Sequence, residues 1–306
     1  MSMLKAIQDE EKEVGSKLSK LDSIKEFVKD GISIGIGGFS LNNSPMTLIR
    51  EIIRIGVVDL TIIAPLPQGI QIDILVGAGC VKKVIAPAVG LESFGPAPNF
   101  VRAIRKGTIE FVACDLGFTT FGLRAAAENL PFYPYPLGVI EDSDLLVSNK
   151  DYRKIFDPFH EKEVVVVPPI KPDLALIHVQ SADASGNCVH VGAWAADELL
   201  AEASNRTIVS ADEIVPKEWL RQNPMKTSIP RHFVTGIVES PFATHPCASH
   251  STYRLDERHF LQYVNAAQSD SSFAEYLQKY IIGVKDHFGY LRAVGGNEYL
   301  DRLRLK

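Results

Sequence analysis

The stretch from Asp30 to Met46, DGISIGIGGFSLNNSPM, constrains this chain more than any other. An apolar run, Ile32 to Ile36, breaks at Gly37-Gly38-Phe39 and then meets Asn43, Ser44 and Pro45. A buried strand that ends in two glycines before a Ser-Pro helix start aims free backbone N–H groups at whatever sits above the sheet edge. This reads as a binding loop; the competing reading is an ordinary strand-to-helix turn with nothing bound. It is not the dinucleotide fingerprint. Gly35-x-Gly37 would need a third glycine where Ser40 stands, and an acidic residue about twenty positions on at the end of the next strand. Asp59 opens the Leu60–Ile63 strand instead of ending it, so no nicotinamide cofactor is expected.

With 306 residues the chain can bury a sizeable core in one large α/β domain or two smaller ones. A net charge of −5 with 23% charged residues argues against a nucleic-acid partner. Cys80, Cys114, Cys188 and Cys247 are widely separated, with no C-x-x-C pair and no Cys/His cluster of metal-ligand spacing. Reduced thiols, no bound metal and a cytoplasmic setting are the expectation. The acidic start MSMLKAIQDEEKEVG has no apolar signal core, and no run of about eighteen apolar residues occurs, so no membrane association is expected.

Along the chain, residues 1–20 read as a flexible or helical tail and Lys20–Lys29 as a short helical face. The helix Pro45–Ile55, the strand Val57–Ala64, a short helix at Asp73–Val76 and the strand Lys83–Ala88 follow in βαβα rhythm. Short apolar strands that do not alternate in polarity are covered on both faces. The fold class is therefore α/β, an open and mostly parallel sheet with helices on both faces and a helical C-terminal extension. Gly90–Pro98 is too rich in Gly and Pro to be regular, and it places Glu92 just beyond a strand end, where open α/β sheets bind ligands. Taken alone, Glu92 reads first as a solvated or capping loop residue. Asn99–Lys106 and Thr119–Asn129 are helices, Ile109–Cys114 a strand, and Pro131–Pro136 a rigid extended connector. The apolar runs Val164–Val167 and Leu174–His178 read as a return of the same rhythm. No linker divides the chain, so residues 21–306 are expected to form one domain, with about 215–306 as an extension that wraps or pairs with something.

Taken together, IGIGGF at Ile34–Phe39, DLTIIAP at Asp59–Pro65, GLESFGPAPNF at Gly90–Phe100, LRAAAENLPF at Leu123–Phe132, DLALIHVQSADASGN at Asp173–Asn187, Ala243-Thr244-His245-Pro246 and Lys285-Asp286-His287 resemble the α (A-type) subunit of class I coenzyme A-transferases. Within that family the resemblance points to the glutaconate CoA-transferase branch. Each segment is weak alone; their shared order carries the resemblance.

The resemblance implies transfer of CoA between an acyl-CoA and a carboxylic acid through a glutamyl-CoA thioester. The nucleophilic glutamate of the family lies in a Ser-Glu-Asn-Gly-like motif of the β (B-type) half, and this chain has none. Ala127-Glu128-Asn129-Leu130 is a near match, rejected because it ends a helix directly before Pro131. A β-type partner in a heterodimer or heterotetramer is therefore implied, with acyl-CoA and carboxylate as substrates and no tightly bound cofactor. The segments assign Gly35, Gly37, Gly38, Phe39, Asn43, Glu92, Ser93, Gly186, Asn187 and His245 to the substrate and CoA pocket. Glu92 is the only candidate catalytic group in this chain. His178 reads as a satisfied core residue and His287 as a fold or interface contact; His245 is left between structure and substrate contact. The family's Glu-x-x-Glu-Gly-like stretch is replaced here by Ala113-Cys114-Asp115-Leu116-Gly117. This keeps two alternatives open: a related ring-opening hydrolase or glutaconyl-type decarboxylase half, and a non-catalytic acyl-CoA-binding homologue.

Overall fold

Apolar strands alternating with helices are stable only when both sheet faces are covered, and that requirement organises the architecture. The computed structural model describes residues 15–192 and 196–305, so the expected tail lies outside the described residues as far as residue 14. The strands of the main sheet are β1 (Ser33–Ile36), β2 (Leu60–Ile63), β3 (Val81–Ala86) and β4 (Glu110–Ala113), with β8 (Leu174–Asp183), β9 (Cys188–Val189), β10 (Thr207–Val215) and β11 (Gly236–Glu239) from later in the chain. Their order is β11-β10-β8-β1-β2-β3-β4, all neighbours parallel, with β9 folding back antiparallel on β8.

Alternate residues serve two layers. Ile34, Ile36, Leu60, Ile62, Leu174 and Leu176 join one apolar core, and Ala175, Ile177, Val179, Ile63 and Leu200 join the other. Burying each of these Ile, Leu or Val side chains contributes about 1.5–3 kcal/mol. The helix Met46–Ile55 starts at Pro45 and stops at Gly56, whose φ of +77° is the left-handed C-terminal cap that glycine adopts without cost. Its buried face is wider than the Leu48–Ile52–Ile55 stripe read from sequence: Met46, Ile49, Ile53 and even Arg50 are enclosed, while Ile55 is only partly covered.

One sequence expectation needs correction. Val164–Val167 does not continue the parallel rhythm. It lies in β7 (Lys162–Val167), the centre of a separate antiparallel sheet with β5 (Tyr133–Pro134) and β6 (Arg153–Asp157) in the order β5-β7-β6. The short turn between β6 and β7 permits only antiparallel pairing, since parallel neighbours need a long crossover. The Pro131–Pro136 connector is extended as expected, yet it is also paired: the Tyr135 N–H donates to the Val165 carbonyl. Residues 215–306 join the same sheet and core. They supply β11 to the sheet edge before the helices Glu257–Ala266, Asp270–Leu277 and His287–Val294 pack Phe260, Tyr263, Phe273 and Tyr290 into the first core. No helix among the described residues is long and apolar enough to cross a membrane.

Candidate functional site

From β1 the chain proceeds to β2, β3 and β4 on one side, while β8, β10 and β11 extend the sheet on the other. The reversal falls between β1 and β8, and the crevice outside the carboxyl ends of such a pair is where open α/β sheets bind ligands. Gly37 and Gly38 sit there. Loops after β1, β2 and β3 converge on the spot: Ser40 bridges to Gln68, Gln68 bridges to Val89, and the Ser40 hydroxyl donates to a Glu92 carboxylate oxygen.

Three non-glycine residues of these loops, Ser40 (φ +53°), Asn43 (φ +52°) and Glu92 (φ +50°), are left-handed. Each such residue costs of order 1–3 kcal/mol, and strain of this kind concentrates where function holds it in place. Glu92 and Ser93 are exposed on a single turn, Glu92–Phe94, and Phe39 is 37% exposed at the lip of the glycine loop. These are the sequence candidates that the fold brings together on an accessible surface. Ser40 and Gln68, both buried, back these residues from within the loops. Their identities carry no motif, and only the loop convergence reveals them.

The glycine loop corrects one expectation. Its N–H groups are not free: Gly37 donates to Leu176, Phe39 to Asn42, Ser40 to Pro67 and Asn43 to Ala248, and the Gly38 N–H donates to the Asp197 carboxylate at 2.9 Å. A buried loop must satisfy its own donors. Gly38, at φ +86°, is required for another reason as well: a Cβ there would lie 2.7 Å from the Asn43 carbonyl oxygen and 2.8 Å from that of Asn42. Gly35 is a packing glycine, because a Cβ would meet Leu200 Cδ1 at 2.5 Å.

Other candidates are engaged within the chain. The Asn43 amide donates to the Val191 carbonyl, and its oxygen accepts from Gln180 and from the His250 N–H. It is buried and stitches the loop across the switch point. Gly186 and Asn187 form the β8–β9 turn, tied to the Asp183 carboxylate. That turn begins seven residues past Leu176, the partner of Ile36, roughly 23 Å beyond the glycine loop at ~3.3 Å per residue. His245 is fully buried, with Tyr290 at 2.7 Å on Nδ1 and Asp256 at 2.9 Å on Nε2, which leaves no ring nitrogen for substrate. His178 is likewise enclosed, between Ser210 and Ser249, and His287 between Thr47 and the Pro241 carbonyl.

Asp115 caps the helix Leu116–Ala127. Burial pushes its carboxyl up, but hydrogen bonds from Tyr135, Tyr152 and the Phe118 N–H outweigh it and hold it below the ordinary range. Glu128 ends the same helix, half-exposed beside Arg124. The four cysteines are unpaired and buried, and burial raises the thiols of Cys80 to about 11 and of Cys247 to about 12, which removes them as nucleophiles. No metal-binding cluster exists among the described residues.

The chain is similar to known proteins along most of its length. The family profile described as coenzyme A transferase matches residues 20–240. The A-type subunit of glutaconate CoA-transferase from Acidaminococcus fermentans is 29% identical over 92% of this chain and 92% of its own. The crystal structure of that transferase superposes with a TM-score of 0.90 at 28% identity, covering 95% of this chain and 96% of the other. The cholesterol ring-cleaving hydrolase IpdA subunit of Rhodococcus jostii is also 29% identical, over 89% of this chain and 94% of its own. An uncharacterized protein of Archaeoglobus fulgidus is 37% identical over 94% of this chain, which spans only 64% of that protein's length.

Proposed function

The chain belongs to the coenzyme A transferase family, and on that premise we propose that it is the A-type half of a CoA-transferase that works with a B-type partner. The partner's glutamate attacks the acyl-CoA thioester and expels CoA thiolate, giving an acyl-glutamyl anhydride; the thiolate then attacks the glutamyl carbonyl and releases the donor carboxylate, leaving a glutamyl-CoA thioester from which the acceptor carboxylate reverses the sequence. Exchange of carboxylate and thiolate on one acyl carbon keeps the thioester's free energy, provided water is excluded.

The observation that carries the reading is the convergence of the β1, β2 and β3 loops at the switch point. There Ser40 is joined to the exposed Glu92, in a chain that overlays glutaconate CoA-transferase along 95% of its length. In this reading Phe39, Ser40, Glu92 and Ser93 form this chain's side of the acyl pocket, and the glycine loop is the rigid floor that aims them. Glu92 contacts substrate and does not carry the acyl group.

The test is co-expression with a B-type chain, incubation with an acyl-CoA, borohydride reduction and intact mass of each chain. Borohydride turns a glutamyl thioester into an alcohol, so the carrier chain loses the mass separating a carboxylic acid from a primary alcohol. The transferase reading expects the loss on the partner alone; loss on this chain would place the nucleophile here. Because a ring-cleaving hydrolase half is equally similar, consumption of substrate with no mass loss on either chain would favour a hydrolase or decarboxylase half. Absence of both turnover and CoA-ester binding would mark a non-catalytic homologue.

A further inference from the structure

The glycine pair is shaped as much by a carboxylate as by any ligand. Asp197, 2% exposed at the start of the helix Asp197–Ala203, directs Oδ1 away from its own helix and onto the Gly38 N–H at 2.9 Å. A Cβ on Gly37 would lie 2.6 Å from that same oxygen. The Gly37–Gly38 peptide is thus clamped between Asp197 and the Asn42 and Asn43 carbonyls that crowd Gly38. Behind the carboxylate, His190 Nε2 stands 2.7 Å from Oδ2, both side chains enclosed. The contact is close but not aligned as a hydrogen bond. His190 Nδ1, His190 Nε2 and Asp197 Oδ2 are three of the seven buried polar side-chain atoms without a hydrogen bond among the described residues, and Gln68 Oε1, beneath the same loop, is a fourth. Buried polar groups are seldom left unpaired in a fold that does not use them.

We propose that Asp197 is the positioning residue of the glycine loop. Its carboxylate fixes the Gly37–Gly38 peptide, and so sets the direction of Phe39 and Ser40 and, through Ser40, of Glu92. His190 supports the carboxylate from behind. The proposal rests on the transferase reading for its catalytic consequence, not for its geometry. An acid in the first turn of a helix is common for the sake of the helix dipole, and from sequence Asp197 shows nothing more. The direction of Oδ1 sets it apart.

The experiment uses the complex co-expressed with the B-type chain and carries Asp197→Ala, Asp197→Asn, Gly37→Ala and the Gly37→Ala/Asp197→Ala pair. Two readouts are taken: hydrogen exchange at the Gly38 amide, and kcat and KM with acyl-CoA. Asp197→Ala is expected to speed Gly38 exchange at least about tenfold and to lower kcat by about ten- to a hundredfold, with KM nearly constant, since small misplacements of a positioned group act at this scale. Asp197→Asn keeps a carbonyl acceptor of the same reach and should recover most of both losses. Gly37→Ala perturbs the clamp from the loop side, so it tests the contact even if Asp197→Ala fails to fold. The double variant should be little worse than Asp197→Ala alone, because the 2.6 Å clash disappears with the carboxylate and only the 3.3 Å approach of Ile177 Cγ1 remains. Unchanged Gly38 exchange in Asp197→Ala overturns the proposal, as do equal losses in the Ala and Asn variants or a loss of activity that only tracks loss of folded complex. If the unsubstituted complex transfers no CoA, the transferase reading fails while hydrogen exchange still decides whether Asp197 holds the loop.

Discussion

Gly38 and Gly56 offer a matched comparison, because both are left-handed, at φ +86° and +77°, yet their surroundings differ. Nothing lies within 4 Å of a Cβ built on Gly56, whereas one on Gly38 meets two backbone carbonyl oxygens at 2.7 and 2.8 Å. Gly56→Ala therefore incurs only the left-handed cost of an L-residue, about 1–2 kcal/mol. Gly38→Ala adds an overpacking cost of about 1–3 kcal/mol, and since the neighbours are backbone they cannot swing aside as a flexible side chain would. The expected totals are about 1–2 kcal/mol for Gly56→Ala and about 2–5 kcal/mol for Gly38→Ala. Urea denaturation of the two variants and the unsubstituted chain measures both, each midpoint shift multiplied by a common slope. Equal shifts would refute the close approach and return Gly38 to the status of an ordinary turn glycine. The clash also changes what a substitution means for activity: a side chain at Gly38 would push on Asn42 and Asn43 and would not fill space reserved for a thioester oxygen.

The other predictions concern the pocket lip and the histidine-rich C-terminal core. Glu92→Gln should raise KM for the acyl-CoA or the acceptor while the partner chain still acquires a borohydride-sensitive thioester; loss of the thioester would make Glu92 the nucleophile. Burial pushes His259 and His287 down to about 3 from an ordinary 6.5. The unfolded chain therefore takes up protons first, and their contribution is complete above about pH 6.5 and lost as pH falls towards 3. Asp256 is desolvated, but hydrogen bonds from His245 and the His259 N–H lower it from 3.8 to about 2, so its contribution is lost as pH falls between those values. Asp73, raised by burial from 3.8 to about 6, works the other way, its folded form gaining protons first between those values. Two histidines outweigh one carboxyl, so the urea midpoint should fall from pH 7.5 to 5.5 to 4.5; a rise would show Asp73 dominating. Tyr263→Phe removes the hydroxyl that donates to Asp73 Oδ2 at 2.5 Å and should destabilise by about 1–3 kcal/mol, read as a lowered midpoint near pH 7 that narrows at pH 4.5, where Asp73 is protonated.

The sequence by itself determined the parallel α/β sheet, because non-alternating apolar strands separated by helical periodicity have no other way to cover both faces. It also determined the place of the glycine loop, since a strand that breaks at Gly37-Gly38 before Pro45 must end at the sheet edge. Glu92 was legible as a carboxylate beyond a strand end. What only tertiary structure decided are the partners across loops. Ser40 meets Glu92, and Gln68 bridges to Ser40 and Val89, through three loops distant in sequence. Asn43, His245, Gly186 and Asn187 were placed in the pocket by their segments, yet the fold commits their polar groups to their own neighbours or to the far β8–β9 turn. Asp197 was invisible for the same reason: a lone acid in a helix's first turn carries no pattern. Its role exists because β8 and β9 bring that helix against the glycine loop. Periodicity records which face of an element is buried, but not which side chain from elsewhere arrives to meet it.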